Sequence, residues 1–323
     1  DITSIKVSVL SPPWKTWWAY IIYMLLLFGV FRVGMHYYTR ILKEEKDREL
    51  DQLKLRFFIN VSHELRTPLT LILNPVDKIL SAFNNPEIVK GSALTLQRSS
   101  RRLLFLVNQL LDFRKMDLHK TPLNLVKSDY VFFTKDIFNL FKDLAKTKKI
   151  KLEYESYEDL LPGVFDIDNI EKIITNLLSN AIKFTDSGGN VKLTVSKVVY
   201  TNKKYTKANF VQIRIKDTGI GFKPEQLKNV FGRFVKPGDT KIGMGIGLNI
   251  TKGLVELHDG EIEVKSKFKE GTIFTVLLPL FPKTAKDKKI EKSIEGAKEY
   301  DLNIIKSMEY EIAISSDEND IDS

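Results

Sequence analysis
At 323 residues the chain is long enough for about two domains of roughly 100–200 residues each and for a sizeable core. It contains no cysteine, which excludes disulfides, thiolate metal sites and cysteine nucleophiles, and its four histidines, His36, His63, His119 and His258, argue against a multi-histidine metal site. The net charge of +9 could suit nucleic acid or anionic lipid, but it is mixed with acid, as in Lys43-Glu44-Glu45-Lys46-Asp47-Arg48-Glu49, and no nucleic-acid motif accompanies it; solvated faces and a membrane-proximal bias are the better explanation, with no direct nucleic-acid partner expected.

The alternating run Ile5-Lys6-Val7-Ser8-Val9-Leu10 predicts a β-strand. One strand cannot stand alone, so residues 1–13 read as the end of an extracytoplasmic β-domain lying upstream. Residues 14–38 predict a transmembrane helix. The uncharged run from Trp17 to Phe31 is short for the ~20 apolar residues a span needs, but Arg32 can snorkel and the helix continues to Tyr38. Trp14, Trp17, Trp18 and Tyr20 make one interfacial belt, Tyr37 and Tyr38 the other. A buried core helix is the competing reading. A signal peptide is disfavoured, because a strand precedes the run and no small-residue cleavage site follows. Arg32, Arg40, Lys43, Lys46 and Arg48 follow the span and only Lys6 and Lys15 precede it, so the C-terminal side is expected in the cytoplasm.

Residues 39–57 are charge-dense, with apolar residues at Ile41, Leu42, Leu50, Leu53 and Leu55, and read as a helical linker. Residues 58–120 predict two helices broken by a turn at Asn84-Asn85-Pro86. The second carries Leu94, Leu103, Leu104, Leu106, Val107, Leu110, Leu111 and Phe113 as an apolar stripe. A lone hairpin cannot bury two wide stripes, so a homodimeric four-helix bundle is the economical solution. A monomeric hairpin packed on the next domain is the alternative.

From residue 121 to 282 the pattern becomes mixed α and β. Strands are expected at Leu123–Val126, Ile150–Tyr154, Val191–Tyr200, Phe210–Lys216, Glu261–Val264 and Thr272–Leu278. One helix bears Phe132, Phe133, Ile137, Phe138 and Phe141, and another follows Asp166-Ile167-Asp168. Clustered helices and an antiparallel-looking set of strands suggest an α/β sandwich. Residues 283–323, Lys-rich and then acidic, read as a linker or disordered tail.

Four motifs along this frame carry chemistry. In Phe58-Ile59-Asn60-Val61-Ser62-His63-Glu64-Leu65-Arg66-Thr67-Pro68-Leu69, His63 and Thr67 share a helical face. Pro68 has no N–H, so the helix can bend beside the imidazole and make room for a phosphoryl group. Glu64 can hold the imidazole neutral and nucleophilic, or take its proton. In Asn176-Leu177-Leu178-Ser179-Asn180-Ala181-Ile182-Lys183, the residues Asn176, Asn180 and Lys183 line one face while Ile173, Ile174, Leu177 and Ala181 point to the core. Amide oxygens are hard ligands suited to Mg²⁺, and a lysine can neutralise phosphate; by itself such a face is better explained by solvation. Asp217-Thr218-Gly219-Ile220-Gly221 follows a strand, where a carboxylate can accept from an adenine amino group and glycines let backbone approach a ligand. Gly243-Met244-Gly245-Ile246-Gly247-Leu248 opens a helix, whose free N–H groups favour phosphate. Leu248 stands where the third glycine of a dinucleotide fingerprint would be, and there is neither a Walker A motif nor a His-Arg-Asp loop.

Together, in this order, the motifs resemble the transmitter core of sensor histidine kinases, over about residues 40–281. The resemblance implies a dimerisation and phosphoacceptor domain followed by a Bergerat-type ATP-binding α/β sandwich, with ATP and Mg²⁺ as cofactors. It makes His63 the phosphoacceptor, with Glu64 assisting transfer and Thr67 orienting water when a partner is dephosphorylated. Asn176, Asn180 and Lys183 resemble the N box, Asn180 holding Mg²⁺. Asp217, Gly219 and Gly221 resemble the first glycine box, and Gly243, Gly245, Gly247 and Leu248 the second. Phe231-Gly232-Arg233-Phe234 resembles the F box of a lid, with Phe234 near the nucleotide, and Thr272 the threonine near adenine. Met244 replaces a usual hydroxyl residue, which removes one phosphate contact but no backbone donor, and Gly232 a usual charged one, which could loosen the lid.

The implied activity is ATP-dependent phosphorylation of the chain's own histidine, then transfer to the receiver-domain aspartate of a response regulator, with phosphatase activity open. The implied setting is a bacterial cytoplasmic membrane, catalytic part inside. The Pro12-Pro13-Trp14-Lys15-Thr16-Trp17-Trp18 passage is also similar to the ectodomain exit of a class of hybrid two-component sensors. The rivals are a non-transferring ATPase or chaperone of the same fold, against which the histidine box speaks, and a degenerate scaffold, against which His63, Asn180, Asp217 and the glycines speak.

Overall fold
The computed structural model describes residues 17–117, 123–202, 204–232 and 245–283. The strand at Ile5–Leu10, Trp14, His119, Arg233, Phe234, Gly243, Met244 and the tail from residue 284 lie outside the described residues. Two units are distinguished, residues 1–60 and 61–323.

Helix α1, Trp17–Ser81, contributes to both units and is helical throughout, including at Pro68 and Pro75. The helical linker runs on into the histidine helix, and both continue the helix that begins at Trp17. Its first part, Trp17–Glu45, is long and apolar enough to cross a membrane by length and composition. Leu25, Leu26 and Leu27 are 65%, 63% and 74% exposed, so no other described segment buries this stretch as a core helix.

In the second unit α1 ends at Ser81, and α2 spans Pro86–Asp117. The turn is where the sequence puts it, and the physical cause is local. The Asn85 carboxamide accepts the N–H groups of Glu87 and Ile88 at 3.2 and 3.4 Å, and Pro86 occupies a position that needs no donor. The expected apolar stripe of α2 is mostly not covered. Leu106 is buried, but Leu94, Leu104, Val107 and Leu111 are exposed, while Ser99 and Arg102 are buried. The side chain of Phe113 lies outside the described residues.

The remainder is an α/β sandwich. Its elements are β1 (Leu125–Asp129), α3 (Tyr130–Leu140), α4 (Lys142–Thr147), β2 (Lys151–Ser156), β3 (Pro162–Asp166), α5 (Ile167–Phe184), β4 (Asn190–Tyr200), β5 (Ala208–Asp217), α6 (Pro224–Leu227), α7 (Gly247–Leu257), β6 (Glu261–Lys267) and β7 (Gly271–Pro279). Strands β2-β4-β5-β7-β6 form one sheet, and β1 pairs with β3 apart from it. The sheet is mixed rather than antiparallel, because β2 runs parallel to β4. The short elements β3, α4 and α6 had no periodic signal to announce them.

Alternation decides which face is covered. Val191, Leu193 and Val195 of β4, Ile213 and Ile215 of β5, and Phe274, Val276 and Leu278 of β7 are buried toward the helices. Among the intervening positions are Lys192 of β4, paired with Glu155 at 2.8 Å, and Arg214 and Lys216 of β5, while Leu277 of β7 is buried with Tyr205 and Phe210. Helix α5 buries Ile170, Ile173, Ile174, Leu177, Leu178 and Ile182, each contributing about 1.5–3 kcal/mol.

Both ends of α5 are satisfied. Asp166 caps its start, accepting from Asn169 N at 3.0 Å and from Asn124 N at 2.7 Å. At its end the Lys148 ammonium donates to the carbonyls of Ile182 and Lys183 at 2.9 and 2.7 Å, a cation on the negative end of the helix dipole. His258 ties α7 to the same region. Its Nε2 accepts the Asp166 N–H at 3.2 Å, so its Nδ1 donates to the Leu254 carbonyl at 2.8 Å. The ring is buried and neutral, its pKa lowered by desolvation.

Candidate functional site
The amphipathic pattern of α5 leaves Asn176, Asn180 and Lys183 half-buried along one side. Asn176 Nδ2 donates to Thr251 Oγ1 of α7 at 2.7 Å, and Asn180 Nδ2 reaches Asn176 Oδ1 at 3.5 Å. Helix α7 can approach this closely because it opens on Gly247. A Cβ there would lie 2.6 Å from Asn176 Oδ1. Leu248 is the next residue of that first turn, and Gly245 precedes it with φ 67°. The N-cap residue, Ile246, makes no side-chain cap hydrogen bond.

Asp217 ends β5 and is 6% exposed. One carboxylate oxygen, Oδ1, accepts from Gly219 N at 2.9 Å and from Thr272 N at 3.1 Å. No hydrogen bond reaches Oδ2 among the described residues. Burial pushes the carboxyl up to about 6, against the pull of the two backbone N–H groups. Gly271 has φ 118° and lies so close to the Asp217 carbonyl that a Cβ would stand 2.1 Å from that oxygen. Gly219 N and Gly221 belong to the turn that follows, Gly221 lying beside the Lys267 carbonyl. Thr272 is buried with its hydroxyl 3.0 Å from Ser266 Oγ.

The fold thus brings the Asn176 face, the first turn of α7 and, at the end of β5, the Asp217–Thr272 pair into one domain. His63 and Thr67 lie elsewhere, exposed on α1, with Thr67 Oγ1 donating to the His63 carbonyl at 3.3 Å. The side chain of Glu64 lies outside the described residues. Two partners of site residues were not foreseen. Thr251 falls four residues after Gly247, on the helix face turned to α5, and Ser266 sits directly opposite Thr272 in the β6–β7 register. The first carried a weak periodic signal, the second none before the register was known.

A helical hairpin exposing a histidine, followed by a mixed-sheet sandwich with a polar helix face and a buried strand-end carboxylate, defines the two-part layout of a kinase transmitter. Residues 53–119 match the His Kinase A (phospho-acceptor) domain, and residues 165–282 match the Histidine kinase-, DNA gyrase B-, and HSP90-like ATPase family. The chain is similar to Histidine kinase P4 of Formosa agariphila, 32% identical over 86% of this chain and 21% of that protein. It is also similar to Hybrid signal transduction histidine kinase D of Dictyostelium discoideum, 38% identical over 74% of this chain and 15% of that protein. Full-length ShkA, solved in complex with AMPPNP, superposes with a TM-score of 0.52 at 25% identity, over 72% of this chain and 46% of that one. The chain belongs to the sensor histidine kinase family. It spans about a fifth or less of the length of these two curated relatives.

Proposed function
We propose that this chain is the transmitter part of a membrane-anchored sensor kinase that phosphorylates His63 from ATP and passes the group to a receiver aspartate. The observation that carries the reading is the Asp217 carboxylate, buried and held through one oxygen by Gly219 and Thr272 while the other takes no hydrogen bond from the described residues. Such a group is built to accept from a ligand donor, and the adenine amino group is that donor here. AMPPNP bound to the ShkA relative supports the same ligand class.

In this reading ATP lies between Asp217 and the first turn of α7. Lys183 and the backbone N–H groups of Gly243, Gly245 and Gly247 offset phosphate charge. Thr272 and Phe234 border the nucleotide, and Gly219, Gly221 and Leu248 shape its walls. Asn180 fits Mg²⁺, since its Nδ2 points to Asn176 and leaves Oδ1 as a hard oxygen donor. When bound, Mg²⁺ supplies charge neutralisation at the phosphates.

A ring nitrogen of His63 attacks the γ-phosphorus as the bond to the β,γ-bridging oxygen breaks and ADP leaves. Glu64 keeps the imidazole neutral and takes its proton. Catalysis is mainly positioning and electrostatic stabilisation. Thr67 is assigned to orienting water for the reverse, dephosphorylating activity toward a receiver. The relative named a hybrid kinase supports a receiver partner, within a longer chain or separate.

Exposed Leu69, Leu73 and Leu80 on α1, with Leu104 and Leu111 on α2, support a homodimeric four-helix bundle, which would cover them. The apolar part of α1 supports a single bilayer span with the catalytic part cytoplasmic. The partition of the chain follows at 1–13, 14–38, 39–57, 58–120, 121–282 and 283–323.

The test is incubation with γ-labelled ATP and Mg²⁺ beside His63→Ala and Asn180→Ala. Acid-labile, alkali-stable label on the parent and on neither variant is expected. No label on a folded, nucleotide-binding parent would overturn the kinase reading.

A further inference from the structure
In the register of the sheet, Asp217 of β5 stands opposite Thr272 of β7, and Thr272 stands opposite Ser266 of β6. Directly opposed residues of antiparallel strands share a face, so the three polar side chains form one row across three strands. Asp217 and Thr272 are buried in that row, and Ser266 is half-buried at its end.

A serine hydroxyl has one hydrogen to give and two lone pairs to receive with, and at Ser266 three neighbours claim them. The Phe222 N–H, 2.9 Å from Oγ, can only donate, so it takes one lone pair. The Gly271 carbonyl, 2.8 Å away, can only accept, so it takes the hydrogen. One lone pair remains for Thr272 Oγ1 at 3.0 Å, which makes Thr272 the donor of that bond. With the opposite polarity, the Ser266 and Gly271 oxygens would stand 2.8 Å apart with no hydrogen between them.

The hydrogen of Thr272 is therefore committed to Ser266, and its oxygen has only lone pairs left to offer. Asp217 Oδ2 takes no hydrogen bond from the described residues and offers lone pairs as well. At its inner two positions the row is an array of acceptors without a free donor. That polarity suits a ligand group that carries hydrogens, such as an exocyclic amine, and opposes a carbonyl oxygen in the same place.

We propose that Ser266 is a positioning residue for base selection. By taking the Thr272 hydrogen it makes the site favour a 6-amino purine over a 6-oxo purine. A Thr272 hydroxyl released from Ser266 could turn and donate to a 6-oxo group. The proposal rests on the nucleotide site described under the proposed function, with Asp217 and Thr272 at the base.

The experiment measures the binding of ADP and of IDP, which carries a 6-oxo group in place of the amine, by calorimetry in Mg²⁺. It uses the whole chain, Ser266→Ala, Ser266→Thr, Thr272→Val and the double variant Ser266→Ala/Thr272→Val, with a melting temperature for each. The quantity read is the ratio of the two affinities. In Ser266→Ala the preference for ADP should fall by about three- to tenfold, the range for one hydrogen bond. Ser266→Thr keeps the hydroxyl and should keep the ratio. On the Thr272→Val background there is no hydroxyl to redirect, so adding Ser266→Ala should leave the ratio where Thr272→Val put it. If Ser266→Ala does not fold, Ser266→Cys takes its place with the same direction expected, since a thiol is the weaker acceptor.

An unchanged ratio in Ser266→Ala would overturn the proposal, equal losses for ADP and IDP included, since those mark a structural role alone. So would a ratio that falls as far in Ser266→Thr, or that falls again on the Thr272→Val background. A parent that prefers ADP without labelling itself from ATP would overturn the kinase reading only, with the ratios still deciding on Ser266. A parent that binds neither nucleotide, or both alike, would overturn the adenine site and this proposal with it.

Discussion
The backbone N–H of Thr272 donates to the carboxylate of Asp217 at 3.1 Å, across adjacent strands β5 and β7. This bond aims a buried acid into the candidate nucleotide site. The burial of that acid sets up a conflict between stability and binding.

Burial lifts the Asp217 carboxyl from 3.8 to about 6. The native state then binds a proton more tightly than the unfolded chain, so this group's contribution to stability falls as pH rises from about 4 to 6 and is flat above. Asp217→Asn keeps an acceptor for Gly219 and Thr272 and removes the buried charge. It should stabilise the free protein by about 1–3 kcal/mol at pH 7 and abolish tight nucleotide binding. Urea melts at pH 7 beside AMPPNP calorimetry test both halves; a destabilised variant would contradict the assignment. In the parent, nucleotide affinity should weaken as pH falls through about 6.

His258 should behave in the opposite sense. Desolvation lowers its pKa, and its neutral form makes two bonds, to Asp166 and Leu254. Its contribution is full above the unfolded value of 6.5 and is lost as pH falls below it. His258→Ala should cost about 2–4 kcal/mol at pH 7.5 and less at pH 5. A protein labelled by ATP should retain the label on His63 in this variant, and a variant that melts like the parent at both pH values would contradict the structural role.

Gly271→Ala should fail for a backbone reason. The φ of 118° is strained for any L side chain, and the new Cβ would collide with the Asp217 carbonyl. A loss of about 3 kcal/mol or more is expected. Gly188→Ala is the control: its φ of 85° carries the strain, but open space surrounds it. Thermal melts should rank Gly271→Ala well below Gly188→Ala.

Leu104→Glu tests the dimer. Leu104 is 51% exposed and belongs to the uncovered row of α2. A charge at a dimer seam should raise the dissociation constant by about tenfold or more. Sedimentation equilibrium of the detergent-solubilised chain reads this directly, and unchanged association would remove Leu104 from the seam.

Helix α5 shows how much was legible in advance. Ile173, Ile174, Leu177 and Ala181 repeat at helical spacing and are all buried, leaving Asn176, Asn180 and Lys183 on the other side. The helix start after Asp166 and the turn at Asn84-Asn85-Pro86 were equally readable, because caps and turns act over a few residues. Helix α2 shows the limit. Its apolar row was visible, yet Leu94, Leu104, Val107 and Leu111 of that row are exposed while Ser99 and Arg102 are buried, because the covering partner and not the row decides burial.

What the sequence determined by itself is whatever short-range chemistry can specify: the helical periods, the caps, the glycine turns, and the order of four motifs that names the family. What only the tertiary structure decided is which distant residues meet. The parallel pairing of β2 with β4, the meeting of Asp217 with Thr272, the bond from Asn176 to Thr251 and the burial of His258 all join residues far apart in the chain. Such contacts form when sheet and helices close on one core, and that closure is a property of the whole packed domain, which no single stretch of the chain encodes.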